Sequence, residues 1–302
     1  MQRLPSTYFI EIFRRNLNMS KEKPLYNEII FTEEQEQQII DMYLNQDTSS
    51  VKIGRYFGCS HKPILKVLER HNIPRTRVGI RKYKLNEEYF DNIDTPNKAY
   101  ILGFLYADGN NCPAKQTIRI GLQEEDKQIL EDMRKEIGVE KELVYLDNSN
   151  KHTFGYTYKN MWILNMYSKH MCQSLEKLGM IPNKSLKVTF PDIDANLYSH
   201  FIRGIFDGDG CIHNSNGKTR HLCSIVGTYD LCNYLKQFFE TMGIQSHIRE
   251  ASNHNGITAV FEIWKKDSVM KFLNYIYQDA EMFLDRKYQR YLNCVEQYDK
   301  TA

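Results

Sequence analysis

Residues 101–109 read Ile-Leu-Gly-Phe-Leu-Tyr-Ala-Asp-Gly, and residues 202–210 read Ile-Arg-Gly-Ile-Phe-Asp-Gly-Asp-Gly. Each stretch is an apolar run that ends in an aspartate and a glycine, which predicts a buried helix with an acidic C-terminal end. Small residues lie four apart in both copies. They share one helix face, so we expect the two helices to pack closely through these faces. The small residues are Gly103 and Ala107 in the first copy and Gly204 and Gly208 in the second.

Close packing of the two helices predicts a shared acidic site. Their C-terminal ends would meet and bring Asp108 and Asp209 side by side. Two carboxylates at close range repel each other unless a cation lies between them. Mg²⁺ prefers oxygen ligands and keeps several waters, so we predict a magnesium site of both aspartates, the backbone carbonyls of Ala107 and Gly208, and DNA phosphates. The neighbouring Asp207 has no acidic counterpart in the first copy and is predicted to be structural.

The two motifs belong to a longer repeat. Asp108 and Asp209 lie 101 residues apart, which is typical of a duplicated domain and too long for a solenoid repeat. Each motif is followed by a predicted strand pair, a helix, a second strand pair and another helix. A lysine follows at a similar distance, Lys184 in the first copy and Lys287 in the second. The predicted helices are 126–137 and 169–178, then 229–242 and 268–277; the predicted strands are 118–122, 141–146 and 156–166, then 222–226, 245–250 and 258–264.

Both motifs closely resemble the nonapeptide that gives the LAGLIDADG homing endonucleases their name. The order of elements over residues 95–293 resembles that of the single-chain members. The resemblance implies an α+β fold in which two pseudo-symmetric αββαββα repeats form a DNA-binding β-saddle. It also implies a monomer that cuts both strands of a long DNA site across the minor groove and leaves 3′ overhangs. The implied cofactor is Mg²⁺, with Mn²⁺ as a substitute.

The resemblance also assigns roles to single residues. Lys184 and Lys287 match the family position of a basic side chain that stabilises charge on the phosphate or organises water. Gln123 matches loosely a polar position that holds the hydrolytic water, with Gly227 as its apparent partner. The strands would supply base and phosphate contacts. The predicted contacts in the repeats are Arg119, Tyr158, Lys159, Lys218, Arg220, His247 and Arg249.

Charge is concentrated in front of the repeats. The chain has 302 residues and a net charge of only +2. Residues 52–84, however, hold ten lysines and arginines and one acid, a net +9 that leaves −7 for the rest. Such a one-sided segment is typical of a phosphate-binding surface, although a solvated charged surface is the alternative.

The same segment contains a resemblance to a helix-turn-helix. Thr32 and Gln35 predict the capping box of a first helix. Residues 48–68 then predict two short helices, with a glycine turn at Gly58 and Ser60 before the second. The second helix would enter the major groove, though any helical hairpin with a glycine turn has a similar pattern. The predicted core is Ile53, Phe57, Ile64 and Val67 or Leu68, and the predicted DNA contacts are His61, Lys62 and Lys66. Arg75 and Arg77 follow in a segment that is either an arm along DNA or a basic linker.

These patterns divide the chain into five parts: an arm (1–31), a small all-α helix-turn-helix domain (32–74), a basic linker (75–94) and two repeats (95–192 and 193–302). The seven cysteines form no Cys-x-x-Cys pair, and no apolar stretch reaches the ~20 residues of a membrane span. We expect a soluble intracellular protein with double-stranded DNA as its partner. A non-catalytic DNA-binding regulator and an intron RNA-splicing maturase remain as alternatives.

Overall fold

The computed structural model describes residues 29–44, 48–73, 83–150, 152–153, 156–214, 221–251 and 258–300. The chain divides into two compact units, 1–80 and 81–302. The helices described are α1 (Glu33–Leu44), α2 (Ser50–Tyr56), α3 (His61–Arg70), α4 (Pro96–Asp108), α5 (Lys127–Glu136), α6 (Lys169–Lys177), α7 (Tyr198–Asp209), α8 (Tyr229–Thr241), α9 (Lys266–Tyr277) and α10 (Asp285–Asp299). The strands are β1 (Gly109–Cys112), β2 (Thr117–Gln123), β3 (Val144–Leu146), β4 (His152–Thr153), β5 (Tyr156–Thr157), β6 (Met161–Tyr167), β7 (Gly210–Asn214), β8 (His221–Thr228), β9 (His247–Glu250) and β10 (Thr258–Ile263).

The first unit packs α1, α2 and α3 around a small core of its own. The capping box at the start of α1 is present: the Thr32 amide donates to Gln35 Oε1 (3.0 Å), and the Gln35 amide donates to Thr32 Oγ1 (3.2 Å). Phe57 packs against the core at its edge. The buried core residues are Phe31, Ile39, Ile53, Ile64, Val67 and Leu68.

The turn between α2 and α3 depends on two glycines. Gly58 has φ +66°, a left-handed conformation that glycine adopts at little cost. Gly54 lies against the turn itself, since a Cβ there would be 2.8 Å from the Cys59 carbonyl oxygen. Ser60 is the residue before α3, but its side chain makes no capping hydrogen bond. The chain therefore reverses tightly between α2 and α3.

The second unit contains the predicted repeat. One sheet has the order β1-β2-β6-β3 and the other β7-β8-β10-β9, and every pairing within them is antiparallel. Both repeats run through helix, two strands, helix, two strands, helix, and the first has an additional short hairpin, β4–β5, between β3 and β6. The predicted fold class, α+β with two αββαββα repeats, is confirmed.

The motif helices α4 and α7 lie at the centre of the second unit. A Cβ on Gly103 would be 2.0 Å from the Phe201 carbonyl oxygen, and a Cβ on Gly204 would be 2.1 Å from the Tyr100 carbonyl oxygen. Phe201 and Tyr100 are themselves equivalent, since both pairs are 101 residues apart. The two helices therefore meet backbone to backbone across a pseudo-twofold axis.

Three details differ from the sequence predictions. The predicted linker, 75–94, extends too far, because Leu85, Tyr89 and Phe90 are buried in the core of the second unit. The second repeat carries an additional helix, α10, where the first has only a 3-10 turn, Lys184–Leu186. The strand partner of the motif glycine is Ile120 in one repeat and Ile225 in the other, so the equivalent of Gln123 is Thr228 and not Gly227.

No helix among the described residues is long and apolar enough to cross a membrane.

Candidate active site

Asp108 and Asp209 are the last residues of the two motif helices. Near these ends the helices touch through Ala107 and Gly208: a Cβ on Gly208 would be 2.2 Å from Ala107 Cβ and 3.2 Å from Asp108 Oδ2. The carboxylate of Asp108 thus lies beside the last turn of the opposite helix. The small residues at these positions bring the two acidic ends together.

The two carboxylates reach solvent, yet protein atoms surround them closely enough to change their ionisation. Partial burial and, to a smaller extent, the nearby Asp108 carboxylate raise the pKa of Asp209 to about 6. Partial burial also raises the pKa of Asp108, while Lys287, Lys184 and Arg286 oppose the increase. The nearby cations therefore offset only part of the effect of burial on the two carboxyl groups.

The two lysines lie behind the aspartates, buried against the ends of the motif helices. Lys184 Nζ donates to the carbonyl oxygens of Tyr106 (2.5 Å) and Ala107 (2.9 Å). Lys287 Nζ is within hydrogen-bonding distance of four carbonyl oxygens, those of Phe206 (2.6 Å), Asp207 (2.7 Å), Gly208 (3.3 Å) and Gly210 (2.5 Å). Burial lowers the pKa of both ammonium groups, that of Lys287 to about 8. Each lysine satisfies the last carbonyls of one motif helix and complements its dipole.

This arrangement bears on the predicted metal site. The described residues contain no group of three or more His, Cys, Asp or Glu side chains that could hold a metal ion. The chain therefore offers two carboxylates together with carbonyl oxygens, and those of Ala107 and Gly208 each have a second lone pair beyond the lysine contact. An all-oxygen set that includes two carboxylates fits a divalent cation that keeps several waters.

Asp207 and its equivalent Tyr106 anchor the lysine-bearing segments in different ways. Asp207 is fully buried and accepts hydrogen bonds from the Tyr100 hydroxyl (2.9 Å), the Tyr277 hydroxyl (2.6 Å) and the Leu284 amide (2.7 Å). Leu284 immediately precedes α10, which carries Lys287. The Tyr106 hydroxyl donates instead to the carbonyl at the end of α6.

Sequence reasoning missed two features near the site. Arg203 is buried in α7 and donates to the carbonyl oxygens of Met282 (2.9 Å) and Ile276 (3.0 Å), ahead of α10. Arg286, next to Lys287, contacts both carboxylate oxygens of Asp126 in the other repeat (3.1 and 3.2 Å). The presence of an arginine within an apolar motif could have indicated a buried role for Arg203. The Arg286–Asp126 contact joins distant segments, so no local pattern indicates it.

The remaining predicted site residues are dispersed. Gln123 lies at the exposed end of β2, where Lys159 Nζ donates to its side-chain oxygen (2.8 Å). Arg119 is exposed on the sheet face opposite the core, as are His247 and Arg249 on the second sheet; Arg249 pairs with Glu262 (2.7 Å). Tyr158 is exposed, and so are His61, Lys62 and Lys66 on α3. Arg75, Arg77, Lys218 and Arg220 lie outside the described residues.

A recess of about 640 Å³ opens beside Asp209. Its polar rim includes Lys184 and Arg249, and its walls are mostly apolar. The wall residues include Val188, Ile205, Val226 and Leu231. The recess therefore extends from Asp209 to strands β8, β9 and β10 of the second sheet.

Comparison with known families agrees with this geometry. Residues 196–277, most of the second repeat, match a family model described as a LAGLIDADG-like domain. The family resemblance inferred from the motifs is confirmed. No curated protein matches the sequence.

Solved structures with a similar chain course share little sequence with this chain. Full-length DUF199/WhiA from Thermatoga maritima is 19% identical, with 70% of this chain and 65% of WhiA aligned and a TM-score of 0.42. The alignment thus leaves about a third of WhiA unmatched. The I-LtrWI LAGLIDADG homing endonuclease bound to target DNA is 12% identical over 71% of this chain and 92% of that one, with a TM-score of 0.41. I-SmaMI bound to an uncleaved DNA target with calcium ions is 9% identical over 69% and 93%, with a TM-score of 0.42.

Proposed function

We propose that this protein is a homing-type endonuclease that hydrolyses both strands of a specific DNA site across the minor groove and leaves 3′ overhangs. The observation that carries the proposal is the pairing of Asp108 and Asp209 at the adjoining ends of two motif helices. Burial raises the pKa values of both aspartates, which means that their charged forms destabilise the protein. Groups with shifted pKa values cluster at functional sites. The two repeats supply both halves of the site, so the active species is a monomer.

Mg²⁺, or Mn²⁺ in its place, would be held by Asp108, Asp209 and the carbonyl oxygens of Ala107 and Gly208. When bound, a divalent cation supplies Lewis-acid stabilisation of the charge that develops on the phosphate. Lys184 uses two of its three N–H donors on carbonyls and keeps one for a water or a phosphate oxygen. Lys287 directs its donors at carbonyls and acts by fixing the end of α7.

DNA would be bound by both units. In the first, α3 presents His61, Lys62 and Lys66 to the major groove as a recognition helix. In the second, the exposed sheet faces carry the remaining contacts. We expect Lys62→Ala and Lys66→Ala each to reduce the slope of log affinity against log salt by roughly 0.9 for each phosphate that the variant no longer neutralises. Unchanged salt slopes in both variants would show that α3 does not contact DNA phosphates.

A non-catalytic DNA-binding regulator is the second candidate. The observation in its favour is that both lysine ammonium groups are bound to helix carbonyls. A maturase would keep the same motifs and bind intron RNA.

The deciding experiment incubates the protein with a library of randomised DNA duplexes in Mg²⁺, Ca²⁺ or EDTA and sequences the ends produced. We expect 3′-overhang ends at one family of sites in Mg²⁺ and none in EDTA. The Asp108→Asn, Asp209→Asn double variant is the control and should produce no ends. Site-specific binding without cleavage in Mg²⁺ would favour the regulator, and stimulated splicing of an intron RNA without DNA cleavage would favour the maturase.

A further inference from the structure

We propose that Arg286 binds a phosphate of only one DNA strand, with Asp126 as its positioning residue, and that it makes the two halves of the site cut their strands at unequal rates. The inference rests on the proposed nuclease function. It starts from the ion pair between Arg286 in the second repeat and Asp126 in the first.

The geometry leaves the guanidinium available. Both contacts to Asp126 use Arg286 Nε. The terminal nitrogens have no hydrogen-bond partner within the part of the chain that the structure describes. The Asp126 side chain is 10% exposed, whereas that of Arg286 is 50% exposed. The carboxylate therefore lies behind the arginine and fixes its planar fork, and the fork's outer edge faces solvent. A guanidinium held this way suits two-point contact with a phosphate.

The position is next to the acidic pair. Arg286 directly precedes Lys287, whose ammonium group lies within hydrogen-bonding distance of the carbonyl oxygens of Asp207 (2.7 Å) and Gly208 (3.3 Å), the two residues before Asp209. The segment that carries Arg286 therefore lies against the C-terminal end of α7.

The equivalent position in the first repeat has no cation. Asn183 precedes Lys184 there, in a left-handed conformation with φ +56°. One contact between the repeats on that side is neutral: the Thr228 hydroxyl donates to the Val188 carbonyl oxygen (2.5 Å). A duplex placed symmetrically over the two aspartates would meet a guanidinium on one strand and an asparagine on the other.

The test measures nicking of each strand separately, with the two strands end-labelled on the duplex recovered from the library. Arg286→Gln is expected to slow one strand by roughly 10- to 100-fold, as for loss of a hydrogen bond to a charged group, and to leave the other within about threefold. Nicked duplex would then accumulate. Arg286→Lys should restore part of the rate. Arg290→Gln, one turn later on the same helix, removes an arginine that donates to the Ile212 carbonyl oxygen (3.1 Å) and is the matched control.

Asp126→Asn separates positioning from binding. It should slow the same strand as Arg286→Gln while leaving the salt dependence of DNA binding unchanged, because the arginine charge remains. Arg286→Gln should reduce that salt slope by roughly 0.9. Equal slowing of both strands, or no slowing, would overturn the inference. If no duplex in the library is cut, the nuclease proposal fails. The phosphate contact of Arg286 is then tested by the salt dependence of binding to a mixed-sequence duplex. An unchanged salt slope for Arg286→Gln would overturn the phosphate contact as well.

Discussion

The two halves of the candidate site share one backbone plan and differ in how each lysine is held. Lys184 sits in a short 3-10 turn and reaches two carbonyl oxygens of its motif helix. Lys287 sits in the first turn of a 15-residue helix and lies within reach of four. Symmetry is therefore strict where the motif helices touch and relaxed where side chains support the site. Contact between backbones leaves no freedom, while a lysine can be anchored in several ways.

The strict part is tested by the glycines of the interface. Gly103→Ala and Gly204→Ala should each cost roughly 3 kcal/mol or more, because a Cβ would lie about 2 Å from a backbone oxygen that cannot move alone. Urea unfolding measures the cost. Gly121→Ala is the control, since its nearest neighbour is the flexible end of Met161 at 3.3 Å. Motif variants as stable as this control would show that the helices are not in backbone contact.

The different anchoring of Lys184 and Lys287 is tested by replacing each lysine. Lys287→Met should cost about 3 kcal/mol, because it leaves buried carbonyls and the buried Asp207 without their cation. Lys184→Met, which frees two carbonyls, should cost roughly half as much. Thermal or urea unfolding at pH 7 gives both values. A larger loss for Lys184→Met would reverse the asymmetry inferred from the hydrogen bonds.

The smallest effect expected is a pH-dependent difference at the aspartates. A native pKa of about 6 for Asp209, above the usual value of 3.8, means that the native state binds this proton more tightly than the unfolded chain. The protein therefore loses stability as the Asp209 carboxyl ionises between about pH 4 and pH 6. Asp209→Asn should be more stable than the parent at pH 7 and lose that advantage near pH 4. Asp108→Asn should gain less, since three cations oppose the shift in Asp108. Unfolding midpoints that differ equally at both pH values would contradict this assignment.

Many of the features that the two halves share could be predicted from the sequence, because they depend on local patterns and on spacing. The apolar motifs, the small residues four apart and the helices behind them all follow periodicity, and the structure forms them within a few residues of the predicted bounds. The structural role predicted for Asp207 agrees with its three buried hydrogen bonds.

The rest depends on contacts between distant segments. The sequence placed Lys184 and Lys287 near the site, but it could not show that their ammonium groups bind helix carbonyls. The Asp126–Arg286 pair joins residues 160 apart. The position equivalent to Arg286 in the first repeat is Asn183, so the repeat pattern of the sequence does not indicate this ion pair. The equivalence of Gln123 with Thr228 follows only from strand register.

The central claim is that Asp108 and Asp209 form one shared site, and not two independent ones. Strand-resolved cleavage of the selected duplex in Mg²⁺ by Asp108→Asn and Asp209→Asn tests it most directly. Both proteins should remain folded and bind the duplex, and each single substitution should abolish cutting of both strands. If either variant cuts both strands at the parent rate, or if each loses one strand only, the shared site is wrong.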